Sequence, residues 1–434
     1  MLPAMLLTLL ACEHPAVHSV TKSSQDDDLP SFTSESRWSD ADDWEPAIAA
    51  DPREPYVYQA TTRIGAEMAQ VVVRISDDAG ETYGDDVVLS DDLDAYDPQL
   101  AVAADTGCVY FAWLGGESGW TTYTKSSCDH GATWSDAVSI AGLDWTTDHG
   151  WLITSPDGQD VYVAFNATPP TEPDSMGQGY VAVSHDGGAS YEDIHVEGDG
   201  IERYWFENGA AMAPDGTLYI ANENYLQDYT GSANLVLWRS ADQGATWDST
   251  TVATSEEAAD CEWAEGCEEG FFSAQASVAV DADGTVMFVY SANTVAGEPM
   301  TLYAAFSPGA GAWDQFGAPT IISKNTGEDN FPTTKAGPTA GDFRVAWQGN
   351  TEGDPKTWNT WFQTTTDGGT SWLDAPIQLS DLGDGAAYKR DVGYAFPYGD
   401  YFQLSVDGEG ENHVIWAEGA SWTGPGGTWW THGQ

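Results

Sequence analysis

The chain has 434 residues, 41% of them hydrophobic, enough to bury one large core. Its 69 acidic side chains outnumber 14 basic ones and leave a formal charge of −55. That balance makes nucleic acid and anionic membrane surfaces poor partners.

Residues 1–12 read as a targeting segment. Leu2 to Ala11 is apolar and runs into Leu9-Leu10-Ala11-Cys12, the pattern of a bacterial lipoprotein signal whose cysteine is lipidated and becomes the first residue. No Lys or Arg precedes the apolar run, so an ordinary secretory signal or a misplaced start is the alternative. Residues 13–40 are polar and acidic, with Asp26-Asp27-Asp28, and read as a tether. Residues 41–434 then form one repeating domain.

Each repeat opens with a short strand that ends in a tight turn. Ala47–Pro52, Leu100–Asp105, Trp151–Gly158, Ala211–Gly216, Ser277–Gly284 and Phe402–Gly408 are such segments, with another near Thr333. A β-branched or aromatic run follows in Val109–Trp113, Val161–Phe165, Leu218–Ala221, Val286–Tyr290, Phe343–Trp347 and Val414–Trp416. A third strand leads into a recurring motif: Ser76-Asp-Asp-Ala-Gly-Glu-Thr-Tyr83, Ser127–Trp134, Ser184–Tyr191, Ser240–Trp247 and Thr365–Trp372. The copies start 51, 57 and 56 residues apart, then 125, a double step around a degraded copy at Ser307–Trp313. A fourth strand leaves each motif. Such a period with strand-like sequence means a propeller or solenoid. The motif's Asp and Gly suit a tight turn and its last aromatic suits the gap between units, so Asp78, Asp129, Asp186, Asp242 and Asp367 read as structural.

The pattern Ser/Thr-x-Asp-x-Gly-x-Thr/Ser-aromatic resembles the Asp-box, or bacterial neuraminidase repeat, of sialidases and other secreted propellers. The resemblance spans most of the chain and implies an all-β, Asp-box β-propeller; it says little of activity. Counting opening strands favours seven blades, with six the alternative. The last unit lacks an outer strand, which Ser31 to Trp38 supplies if it pairs across the ring junction and so closes the sheet edge.

With Cys12 set aside, four cysteines remain. Cys108 opens a second strand and Cys128 ends the third, so both sit at one end of an antiparallel pair and are expected to bond; Cys261 and Cys267 are expected to staple their own loop. The alternative, four reduced thiols in a cytosolic protein, fits the signal-like start poorly.

The site is expected where loops entering the first strands meet those joining second to third strands. Candidates there are Asp43, Trp44, Tyr96, Asp97, Asp148, His149, Arg203, Glu207, Asn208, Gln275, Asn330, Arg390, Asp391, Tyr394, Tyr398, Asp400 and Tyr401. Trp145, Trp205, Tyr225, Tyr229 and Trp263 also read as loop aromatics able to stack on sugar rings. The resemblance implies three arginines clamping a carboxylate, a Tyr–Glu nucleophile pair and an Asp acid/base. With eight arginines in all, only Arg203 and Arg390 have suitable loop positions; Arg74, Arg239 and Arg344 lie within strands, and Arg63-Ile64-Gly65 follows a second strand.

The leading expectation is an exported, surface-anchored, monomeric propeller that recognises a glycan or extracellular polymer. Its atypical glycosidase site would use Asp97, Asp148, Glu207, Arg390 and Tyr398 for chemistry and His149, Arg203, Asp400 and Tyr401 for binding. A non-catalytic binding lipoprotein is the second reading. A polysaccharide lyase is the third, with His149 beside Tyr394, Tyr398 or Tyr401 as base. No cofactor is required; the many carboxylates make calcium a possible ligand at positions the sequence does not specify.

Overall fold

Seven four-stranded antiparallel sheets follow one another around a ring. The computed structural model describes residues 30–434 apart from 66–67, 91–93, 117–119, 169–176, 192, 198–203, 228–229, 259–272, 324–326, 351–357, 382–401 and 420–425. Blade I comprises Asp43–Ala50, Val57–Ile64, Ala69–Ser76 and Val87–Val88. Blade II holds Ala95–Val102, Val109–Gly115, Thr121–Ser127 and Val138–Ser139, and blade III Thr146–Thr154, Val161–Thr168, Gln178–Ser184 and Asp193–Glu197. Blade IV holds Tyr204–Met212, Leu218–Gln227, Thr230–Ser240 and Asp248–Ser255. Blade V holds Ala276–Val280, Val286–Ala292, Thr301–Ser307 and Thr320–Ile321, and blade VI Asp329–Ala336, Phe343–Gly349, Asn359–Thr365 and Ile377–Gln378. Blade VII has Gln403–Val406, Asn412–Gly419 and Gly426–Gly433, and takes its outer strand from Ser36–Arg37. The expectation of seven blades with a closing N-terminal strand is met.

The five motif copies make one and the same turn. In each, the first Ser or Thr hydroxyl donates to the Asp Oδ1 at 2.7–2.9 Å, and the same Oδ1 accepts the amide four residues beyond the Asp. The Oδ2 accepts that residue's hydroxyl at 2.6 Å. The glycine at the fifth position has φ between 81° and 86° in all five, the left-handed region where a side chain is disfavoured. Each motif's terminal aromatic packs into the interface with the preceding blade: Tyr83, Trp134, Tyr191, Trp247 and Trp372, and Trp313 of the degraded copy. The motif therefore satisfies turn polar groups and seals neighbouring blades at once.

Cys108 and Cys128 form a disulfide across the base of blade II, with Cα atoms 4.1 Å apart and a sequence separation of 20. Cys261 and Cys267 lie outside the described residues, as does Cys12. No helix of the described residues is long and apolar enough to cross a membrane.

Closure falls between blades VII and I. Ser36 pairs with Trp430 and Arg37 with Trp429, while Phe32 bridges Gly433. Behind this seam sits Arg74, buried at 8% exposure. Its guanidinium lies 4.2 Å from the Trp38 ring, 4.4 Å from Tyr83 and 5.6 Å from Trp430, and donates twice to Gln59 Oε1. Burial pulls it down to about 10. One cation thus joins a blade I strand, a blade I motif, the last strand and the closing segment. Arg74→Met removes these contacts and orphans the Gln59 oxygen, so it should lower unfolding free energy by about 2–4 kcal/mol. Urea denaturation checks this, and an unchanged midpoint contradicts it.

Candidate functional site at the channel mouth

All seven first strands start at the same face, and the motif turns lie at the other. The mouth therefore gathers the beginnings of first strands and the ends of second strands. In five blades the first strand breaks register as it enters: between Trp44 and Ala47, Tyr96 and Gln99, Asp148 and Gly150, Glu207 and Gly209, and Asn330 and Thr333. In three of them the displaced residue precedes proline and has a left-handed φ: Glu45 at 48°, Asp97 at 55° and Phe331 at 53°. Such a conformation costs a non-glycine residue about 1–3 kcal/mol and collects where a fold must re-aim a side chain.

Five carboxyls meet at the mouth across blades I to IV. The carboxyls of Glu45 and Asp97, on adjacent blades, hydrogen-bond each other. Burial pushes Glu45 above its ordinary value, the bond to Asp97 partly offsets this, and the charge of Asp148 raises it further. Asp148 accepts the Tyr204 hydroxyl at 3.1 Å, and that hydroxyl in turn accepts Asn166 Nδ2 at 2.8 Å. Glu207 and Glu223 lie beneath, both at 0% exposure. Neither Glu207 oxygen has a hydrogen-bond partner, and burial with the nearby charge of Asp148 holds its carboxyl well above 4.5. Glu223 accepts the Ala276 amide and is held up by burial and by Glu207. A Cβ on Gly179 would stand 2.6 Å from Glu207 Oε1 and 2.2 Å from Trp238, so only glycine lets that carboxyl sit there. Across the mouth, burial pushes Glu328 up to about 8.

Of the sequence candidates, the structure brings Asp97 and Asp148 together with partly open side chains and places Glu207 under them. His149 is 2% exposed, its ring 5.1 Å from Phe206 in a stacked pair, and burial pulls it down to about 3. Asp43 is buried and bound by Arg63, which also reaches Asp86. Asn330 accepts its neighbour's amide and donates to Ser273. Tyr96 meets Trp120 edge to face at 5.4 Å, both half-buried at the rim. Trp205 and Tyr225, read from sequence as loop aromatics, instead lie in blade IV strands and are buried, because those strands run further than the apolar pattern indicates. Arg203, Tyr229, Trp263, Arg390, Asp391, Tyr394, Tyr398, Asp400 and Tyr401 lie outside the described residues.

Sequence reasoning missed Glu45, Glu223, Tyr204 and Asn166. A signal existed for the first: Glu45-Pro46, Asp97-Pro98 and Phe331-Pro332 recur at one place in three repeats. For metals, the one group among the described residues offering three ligand atoms within 4.8 Å of one another is Asp407, Glu411 and His413. It sits in a turn at the opposite face, where Asp407 Oδ1 accepts the amides of Glu409 and Glu411. The mouth carboxyls do not form such a group.

No protein-family model matches this chain, and no curated protein does. Among solved structures it is similar to a polysaccharide lyase of family PL25, an ulvan lyase, at 10% identity and a TM-score of 0.55, covering 89% of this chain and 94% of that one. It is similar to the GH93 α-L-arabinofuranosidase of Fusarium graminearum at 12% identity and a TM-score of 0.53, covering 93% and 98%. A Hadza microbial sialidase matches at 14% identity and a TM-score of 0.49, over 86% and 73%. These neighbours act on glycans; the likeness is one of fold.

The buried carboxyls give stability a definite pH dependence. Glu207 and Glu223 keep their protons when folded, while the unfolded chain releases them near 4.5. Above that pH the unfolded chain binds fewer protons, so this contribution is complete below 4.5 and is lost as pH rises through the folded values. Glu207→Gln should therefore raise the urea midpoint at pH 8 and leave it nearly unchanged at pH 4.5. Equal shifts at both pH values contradict the assignment.

Proposed function

We propose that this chain is an exported glycan-recognising propeller whose mouth hydrolyses glycosidic bonds of uncharged sugars. The observation behind the reading is the contact between the Glu45 and Asp97 carboxyls, beside the carboxyl of Asp148 that the Tyr204 hydroxyl orients. Glycoside hydrolysis needs one carboxyl that donates a proton to the leaving oxygen and another that attacks or activates water. The Glu45–Asp97 pair serves as the donor, because burial and the neighbouring negative charge of Asp148 make its proton hard to lose to water. Asp148, oriented by the Tyr204 hydroxyl, is the base or nucleophile. Glu207 and Glu223 hold no substrate; kept neutral, they let Asp148 carry the local charge. Tyr96 and Trp120 offer faces for a sugar ring.

An uncharged substrate follows from electrostatics. Among the described residues the basic group at the mouth is Arg63, already committed to Asp43 and Asp86, and the chain carries −55 overall. The disulfide of blade II supports export, and Cys12 as a lipid anchor belongs to the same proposal. The lyase reading gains nothing from His149, which is sealed against Phe206.

A panel of neutral and acidic oligosaccharides tests this. Wild type should release sugar from a neutral member, and Asp148→Asn should lose about 10²–10⁴-fold in rate while binding within a few fold of wild type. Release from sialylated members alone, or full activity in Asp148→Asn, contradicts it.

A further inference from the structure

The hydrogen bonds behind Asp148 run in one direction, and a backbone carbonyl sets it. Asn166 stands opposite Asp148 in register, on the second strand of blade III. It is buried, and its Nδ2 reaches two oxygens: the Trp205 carbonyl at 3.0 Å and the Tyr204 hydroxyl at 2.8 Å. A carbonyl only accepts, so the Asn166 atom facing Trp205 is the amide nitrogen and not the amide oxygen. Its second hydrogen goes to Tyr204 Oη, which is therefore an acceptor toward Asn166. A phenol has a single proton of its own. That proton faces Asp148 Oδ2, 3.1 Å away.

The ring that carries the hydroxyl is held in place. A Cβ on Gly177 would stand 2.7 Å from Tyr204 Cε2, so glycine leaves the space that the ring fills. The Gly177 carbonyl accepts the Trp205 amide at 2.9 Å, which ties the start of blade IV to blade III. The donor, the ring and the fixed carbonyl thus all sit on the seam between these two blades.

We propose that Asn166 is a positioning residue: it turns the Tyr204 hydroxyl toward Asp148 and so holds that carboxyl as an acceptor. The inference rests on the reading of Asp148 as base or nucleophile given above. Asn166 lies behind Tyr204 and acts through it. With an acceptor at position 166, the hydroxyl would give its proton there and turn a lone pair on Asp148. A carboxylate facing a lone pair is repelled and swings away, and its aim at a sugar carbon or a water is lost.

Asn166→Asp makes that exchange at constant shape. The new carboxyl gives any proton it holds to the Trp205 carbonyl and accepts from Tyr204. Crystal structures of wild type and variant supply the first readout, which needs no substrate. In the variant, Tyr204 Oη should separate from Asp148 Oδ2 by more than about 3.5 Å; an unchanged contact overturns the proposal. Should Asn166→Asp fold poorly, Tyr204→Phe keeps the ring and removes the hydroxyl. There the Asp148 carboxyl should rotate off its wild-type position, and an unmoved carboxyl overturns the proposal. Kinetics on the neutral oligosaccharide that wild type cleaves supply the second readout. Asn166→Asp should lower kcat about 10–100-fold with KM within about threefold of wild type, and should cost no further kcat once Tyr204 is replaced by Phe. An equal loss with and without the hydroxyl marks a merely structural role and overturns the proposal. A wild type that cleaves no member of the panel defeats the glycosidase reading instead, and the crystal structures still decide the role of Asn166.

Discussion

A ring of sheets holds only if its two ends meet, and here they meet around one buried cation. Arg74 is enclosed by Trp38, Tyr83 and Trp430, and through them the closing strand, the first blade and the last blade share one desolvated contact. Each such contact contributes about 2 kcal/mol when water is excluded. Everything at the mouth depends on it, because Glu45 enters from blade I, directly beside the seam. If the seam opened, blade I would shift against blade VII, and the Glu45–Asp97 contact would lose its support on one side. The motif turns act in the same direction: each spends its aspartate on its own turn and its aromatic on the neighbouring blade.

The electrostatics of the chain divide by depth. On the surface, the motif aspartates are held below their ordinary range by hydroxyl and amide donors. At the mouth, burial acts the other way and keeps Glu45, Glu207 and Glu223 protonated beyond theirs. Carboxyls of one chemical type are thereby separated into proton holders and charge carriers. A glycosidase needs that separation.

Much of the architecture was legible in the sequence. Period, turn chemistry and strand composition point to seven blades, and the missing outer strand points to residues 31–38. The pairing of Cys108 with Cys128 follows from their places on neighbouring strands. The mouth was less legible. Asp97, Asp148 and Glu207 stand out as acids at strand starts, yet their exposure depends on packing that no local pattern encodes. Glu45 escaped notice because its role comes from a left-handed kink before proline and from a partner 52 residues away on another blade. Trp205 and Tyr225 misled for the opposite reason: polar Asn222, Glu223 and Asn224 hide the continuation of a buried strand.

The account rests most heavily on the paired carboxyls of Glu45 and Asp97 acting as one proton donor. Carboxyl-resolved NMR titration of the intact protein, with assignments from Glu45→Gln and Asp97→Asn, measures it directly. The account predicts that the two carboxyls titrate as a coupled pair, with Glu45 losing its proton above the ordinary carboxylate range, and that Asp97→Asn changes the Glu45 curve. Independent titration of both within the ordinary range, unaffected by each other's substitution, would contradict it.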